Sequence, residues 1–276
     1  MMKLAISNIA WQPDESDAVY ELLQAYGFEG LEFAPGLLFP EEDDAFVPRT
    51  GAVNATLQRL ASFGLRPVSM QSLHFGVQGA ALFGTDTERT VFTNSINRAI
   101  NLAGRLEFSN LVIGSPRNRV IPGDMDTQQA DEIALSEFRL LADSAFKTGQ
   151  KLAIEPNPAA YGANFLTRMS DVCDFVSRCD HPAITINFDT GALHMNEDMG
   201  ALEKLYDLAR QKISHIHLSE AWLAPVPSGM DWLVSFSDIV KARNYDGWVS
   251  IEMKRSEKDP LASIEQSLDA VSRAFS

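Results

Sequence analysis

Cysteine is nearly missing from this chain: Cys173 and Cys179 are its only two. Their spacing is not CxxC and neither belongs to a cysteine–histidine cluster, which argues against a disulfide framework and a thiolate zinc site; two reduced, buried thiols are expected. Basic residues are also short, 23 Lys and Arg against 37 Asp and Glu, for a net charge of −14. A phosphate backbone needs a basic footprint, so no nucleic-acid partner is expected. No apolar run reaches about 18 residues, so nothing in the sequence predicts a membrane span. The opening "MMKLAISNIAWQPDES" breaks at Pro13 before an adequate apolar stretch forms, so no signal peptide is read and a cytoplasmic location is expected. Finally, neither GxGxxG nor GxxxxGK[ST] occurs, which leaves a nucleotide cradle without support.

What is present is a rhythm. Short β-rich segments begin at Lys3, Gly30, Arg66, Asn110, Lys151, Ala183, Ile213 and Trp248. Between them lie stretches of helical period, among them Asp14–Tyr26, Asp86–Gly104, Asp126–Thr148 and Leu261–Phe275, with acidic starts or glycine ends. Strict β–α alternation calls for parallel strands joined by crossover helices. Eight such units in 276 residues fit a closed (β/α)8 TIM barrel better than an open doubly wound sheet, which usually carries a glycine-rich turn after its first strand. No Pro/Gly/Ser-rich linker divides the chain, so residues 1–276 are read as a single domain.

In such a barrel, chemistry gathers at the C-terminal ends of the strands. Strand 5 ends in Glu155, strand 6 in Asp189 and strand 8 in Glu252, each directly after an apolar or β-branched run. Strand 7, "ISHIHLSE", carries His215, His217 and Glu220, although the whole chain has only five histidines. Three carboxylates converging on one barrel mouth need a counter-charge. A divalent cation supplies it; the rival reading pairs the acids with Lys254, Arg117 or Arg119. Oxygen-rich ligands with one imidazole suit Mn²⁺ or Mg²⁺, with Co²⁺ or Zn²⁺ as alternatives. His217 and His215 share a strand face. His217, nearer the strand end, is the better ligand, and His215 sits a layer deeper as support or as a core histidine.

At these residues the chain resembles the sugar phosphate isomerase/epimerase superfamily, the xylose isomerase-like TIM barrels that include ketose 3-epimerases, inosose dehydratase and endonuclease IV. The resemblance runs through the whole element order. Its specific part is Glu155, Asp189, the "HIHLSE" of strand 7 and Glu252. In the ketose epimerases the corresponding four residues hold one divalent metal, which implies Glu155, Asp189, His217 and Glu252 as ligands here. The two glutamates there also act as acid and base, which implies that role for Glu155 and Glu252. The resemblance further implies homodimers or homotetramers. Two positions depart from it: Ala192 stands where the epimerases usually have a histidine, with His194 two residues on, and Leu223 where they have an arginine. Endonuclease activity is disfavoured, because the additional histidines and the basic surface it needs are missing.

The expected chemistry is proton abstraction next to a metal-polarised carbonyl, through an enediolate, giving epimerisation or isomerisation of a sugar or sugar derivative. Two rivals remain: a dehydratase or lyase acting on an inositol- or uronate-like substrate, and a barrel that binds a ligand without catalysis. Candidate substrate contacts are His74 after strand 3, Arg117, Asn118 and Arg119 in the loop after strand 4, Asn157 after strand 5, His194, Glu220 and Lys254. Trp11, Phe33 and Phe39 are read either as an apolar wall of the site or as ordinary barrel packing.

Overall fold

The computed structural model describes residues 2–276. Its eight strands are β1 Lys3–Ser7, β2 Gly30–Phe33, β3 Arg66–Met70, β4 Asn110–Ile113, β5 Lys151–Ile154, β6 Ile184–Asp189, β7 Ile213–Ser219 and β8 Trp248–Glu252. They pair in parallel, in sequence order, and β8 closes on β1. The helices are α1 Ser16–Ala25, α2 Pro35–Leu38, α3 Thr50–Ser62, α4 Asp86–Arg105, α5 Thr127–Lys147, α6 Met169–Cys179, α7 Thr190–Met195, α8 Leu202–Ala209, α9 Met230–Ala242 and α10 Pro260–Phe275. This is the (β/α)8 barrel read from the sequence, with every expected strand in place.

Local chemistry sets the long helices. Thr85 and Glu88 form a reciprocal capping box at the start of α4, Asp126 accepts from the Gln129 N–H at the start of α5, and Asp259 with Pro260 opens α10. The apolar faces of these helices pack on strands buried on both sides, which is why β2, β4 and β6 are buried throughout. Cys173 and Cys179 are free and buried in α6, as expected. Gly30 is required at the start of β2: a Cβ there would lie 2.7 Å from both Ala5 Cβ and the Trp248 ring. Among the described residues no helix is long and apolar enough to cross a membrane.

The barrel interior is unusual. Interiors of this fold are commonly filled by Val, Ile and Leu, yet here Ser7, Glu32, Ser69, Asn187, His215, His217 and Ser250 are all fully buried. Register explains how they meet: Glu32 is level with Ser7 and Ser69, Asp189 with His217, His217 with Ser250, and Ser219 with Glu252. A polar column therefore rises inside the barrel toward the C-terminal ends of the strands.

Candidate active site

The column is built from its lowest bond upward. Asn110 Nδ2 donates to Ser69 Oγ at 3.0 Å, and Ser69 Oγ donates to Glu32 Oε1 at 2.8 Å. Ser250 Oγ donates to the other oxygen of Glu32 at 3.2 Å. His217 Nε2 then lies 3.0 and 2.8 Å from the two Glu32 oxygens. Burial alone would push the Glu32 carboxyl up, but the charges of His217 and His215 hold it well below the usual carboxylate range. Glu32 was not among the residues singled out by sequence. Its signal was an acid inside the four-residue apolar strand "GLEF", where alternation alone cannot say which face is inward.

With Nε2 donating to Glu32, the neutral ring of His217 presents the lone pair of Nδ1. That atom lies 3.0 Å from Glu155 Oε1 and 3.3 Å from Glu252 Oε2, is buried, and has no hydrogen-bond partner. Three acceptors facing one another need a cation between them, either a proton on Nδ1 or a metal ion. Burial opposes charge on this imidazole, but Glu32 and Glu252, with Glu155 in reach, hold its pKa well above the ordinary value. One possible ligand atom each from Glu155, His217 and Glu252 falls within 4.8 Å of the others, the spacing of a metal centre. Among the described residues no lysine or arginine forms an ion pair with the side chains of Glu155, Asp189 or Glu252; of Lys254, Arg117 and Arg119, only Arg119 has its charge felt by Glu155, whose backbone carbonyl it meets. The donor set, two carboxylates and one imidazole in line with a third carboxylate, fits a hard divalent cation.

Asp189 stands beside this group but is turned into the start of α7. Its oxygens accept from the Gly191 N–H at 2.9 Å, the Ala192 N–H at 3.1 Å and the Ser219 hydroxyl. Burial and the neighbouring charges of Glu155 and Glu252 still push it up to about 7. Glu252 is raised as well, by burial above all. Glu155 is steered from two sides: Asn187 Nδ2 donates to Oε1 at 2.7 Å, and Gly114 gives Oε2 room that a Cβ, 2.6 Å away, would fill. His215 is fully buried, 3.6 Å from Glu32 and edge-on to His217 with ring centres 5.4 Å apart; burial lowers its pKa. It lies one layer below His217, away from the carboxylates at the strand ends.

Above the group opens a cleft of about 680 Å³. Of the expected substrate contacts, His74, Arg117, Asn118 and Asn157 line it together with Glu155, Asp189 and Glu252. His74 has both ring nitrogens engaged, with Ser115 Oγ at 3.0 Å and the Phe92 carbonyl at 3.2 Å, and burial lowers its pKa to about 4. Asn118 donates to the Ala80 carbonyl, and Asn157 donates to that of Gly114. Arg117 is the cleft's lone guanidinium.

The other four expected contacts fall elsewhere. Arg119 is buried outside the cleft lining and donates through Nη2 to the Glu155 carbonyl at 3.0 Å. Glu220 accepts from the Ser228 N–H and Trp232 Nε1 and lies 3.5 Å from His194 Nε2, so both residues tie α7 to the loop before α9. Lys254 is exposed beyond β8, its backbone N–H bonded to the Leu223 carbonyl. Trp11, Phe33 and Phe39 belong to the core; Trp11 packs edge-on to Tyr20. Tyr161, not singled out by sequence, lines the cleft, and burial with the charges of Asp189, Glu252 and Glu155 pushes its phenol up to about 12.

Over residues 20–274 the sequence matches the family described as xylose isomerase-like TIM barrel. No curated protein matches it. Among solved structures, 3-keto-D-glucoside 4-epimerase from E. coli superimposes with a TM-score of 0.80 at 17% identity, covering 98% of this chain and 99% of that one. D-Psicose 3-epimerase from Clostridium cellulolyticum H10 gives 0.76 at 17% identity over 99% of each chain. A family 2 AP endonuclease from Brucella melitensis gives 0.72 at 17%, over 96% of this chain and 97% of that one. At these identities the likeness is one of fold.

Proposed function

This chain belongs to the xylose isomerase-like TIM barrel family, and from that premise we propose that it is a divalent-metal-dependent epimerase or isomerase of a sugar or sugar derivative. The observation that carries the proposal is the buried, unpartnered Nδ1 of His217 facing the carboxylates of Glu155 and Glu252. Glu155, His217 and Glu252 would hold the ion, most readily Mn²⁺ or Mg²⁺, with Asp189 as the fourth ligand once its carboxylate turns from its hydrogen bonds. Such an ion supplies charge stabilisation to a carbonyl oxygen and acidifies the adjacent C–H. The likeness to sugar epimerase structures favours the same reading.

The protein's own groups do the rest. Glu155 follows β5 and Glu252 ends β8, so the two carboxylates approach from separate strands, and one would take a proton from a carbon beside the carbonyl while the other returns one to its opposite face. Glu32 fixes the ring plane and tautomer of His217, as carboxylates behind ligating histidines commonly do. Arg117, Asn157 and Tyr161 offer polar atoms to substrate hydroxyls at the walls. Binding of a small sugar in this cleft, by a protein that needs neither nucleic acid nor membrane, belongs to the same reading.

The test is solvent exchange. Protein loaded with Mn²⁺ is incubated in D₂O with a panel of ketoses, keto-glycosides and inososes, and products are read by mass and proton resonance. One deuterium next to the carbonyl, without change in elemental composition otherwise, is expected. Glu155→Gln and Glu252→Gln should each slow exchange by about 10²- to 10⁴-fold. Loss of water from the product would assign the dehydratase chemistry instead. No exchange with any carbonyl sugar would contradict the proposal.

A further inference from the structure

A second hollow, of about 520 Å³, adjoins the cleft. The two share one wall, the loop after β3, whose Ser72, Phe75, Gly76 and Val77 line both. A single hexose displaces on the order of 200 Å³, several times the roughly 30 Å³ share of one liquid water. The cleft alone exceeds this, and the annexe, whose lining includes none of Glu155, Asp189 and Glu252, adds further room beside it.

The chemistry of the two hollows differs. Glu155, Asp189 and Glu252 line the cleft, whereas the annexe is lined chiefly by apolar groups, among them Leu37 and Phe46, with the exposed acids Asp43 and Asp44 at its edge. Its one guanidinium, Arg98, is ion-paired with Asp44 and lies over the Phe46 ring at 5.2 Å, so it is not free for a phosphate. Phe75, at the boundary, is 83% exposed, the largest value for a large hydrophobic side chain among the described residues. Left-handed backbone at Ser72 (φ 60) and Gly76 (φ 77) brackets it, while His74 next to it is fastened to Ser115 and Phe92. The loop is thus anchored at its base and holds an uncovered phenyl ring between two hollows. A lone exposed phenylalanine needs no explanation; one held in this position, with apolar space behind it, is suited to the face of a ligand ring.

Resting on the epimerase or isomerase reading, we infer that the substrate is a glycoside carrying an apolar aglycone, with its sugar ring at Glu155 and Glu252 and its aglycone against Phe75 in the annexe. A glycosidic bond locks the anomeric carbon, so the carbonyl that acidifies the C–H lies elsewhere on the sugar, and a ketone at a ring carbon sets it directly beside a ring C–H. The substrate is therefore a keto-glycoside, made by oxidation of a ring hydroxyl in a preceding reaction. The step itself is redox-neutral: one carboxylate takes the proton from the carbon beside the ketone, a proton returns to the other face, the glycosidic bond stays intact, and substrate and product are isomers.

The experiment compares phenyl and methyl glucosides oxidised at C2, C3 or C4, and free ketoses, as substrates of the Mn²⁺-loaded enzyme in D₂O. Exchange should be at least tenfold more efficient, as kcat/KM, for the phenyl than for the methyl keto-glucoside, with the difference in KM. Phe75→Ala should cut that preference at least fivefold, and Phe46→Ala should cut it too. Equal efficiency for phenyl and methyl compounds, or a preference that survives both substitutions, overturns the aglycone site. Exchange with free ketoses that matches or exceeds that with keto-glucosides also overturns it while leaving the epimerase reading intact. Silence with every carbonyl sugar removes both.

Discussion

His217 has two different jobs on one ring. Nε2 is held by Glu32, and Nδ1 is left facing Glu155 and Glu252. Because carboxylates behind ligating histidines commonly tune metal affinity, Glu32→Gln is expected to weaken Mn²⁺ binding by about 10- to 100-fold, read by calorimetric titration. His74 makes a separate prediction about acid. Its folded pKa of about 4 lies below the ordinary 6.5, because burial opposes its charge. Between those values the unfolded chain takes up a proton that the folded chain refuses, so this contribution is intact above about pH 6.5 and is lost as pH falls toward 4. The loss is on the order of 3 kcal/mol at one unit per 1.4 kcal/mol. Urea unfolding of the wild type and His74→Gln at pH 7 and 4.5 should show the smaller pH dependence in the variant. At this scale the sequence was a partial guide. Glu155, Asp189 and Glu252 stood out because each directly ends an apolar run, and the structure gathers them at one mouth. Glu32 did not stand out, since only the register that sets it level with Ser7 and Ser69 turns it inward.

Elements decide which side chains reach the cleft. The β–α rhythm was legible because strand and helix periods differ and their caps are chemical. The paths of the loops after the strands were not legible in the same way. Beyond β7 the backbone passes through left-handed conformations at Trp222 and Leu223 (φ 60 and 55), which carries the chain away so that Glu220 bonds to Ser228 and Trp232 while Leu223 lines the cleft. Strand alternation likewise fails for Lys254, because β8 ends at Glu252. The end of β4 offers the clearest test of an element's role. Gly114→Ala would place a methyl group against the carboxylate of Glu155, the movable end of a side chain. It should lower exchange activity by at least tenfold while moving the thermal midpoint by no more than a few degrees. A large loss of stability with the residual activity unchanged would place the constraint in the backbone instead.

For the whole molecule, the closed sheet is a scaffold that concentrates negative charge at one mouth of the barrel. The acids at the mouth have no lysine or arginine partner among the described residues, although the surface carries many ion pairs, including Arg178 with Asp131 and Arg243 with Glu203. A ligand that relieves this repulsion binds the folded chain and not the unfolded one. At a hundredfold excess over its dissociation constant it adds about 2.7 kcal/mol. Mn²⁺ should therefore raise the melting midpoint by roughly 5 °C or more, and a chelator should reverse the rise. The metal site is tested by metal content itself, measured by elemental analysis on protein purified without chelator and then dialysed against Mn²⁺ and buffer. Close to one divalent ion per chain is expected in the wild type and less than a tenth of that in the Glu155→Gln/Glu252→Gln double variant, with both proteins folded by circular dichroism. A wild type that retains no ion, or a double variant that retains as much as the wild type, would contradict the metal site.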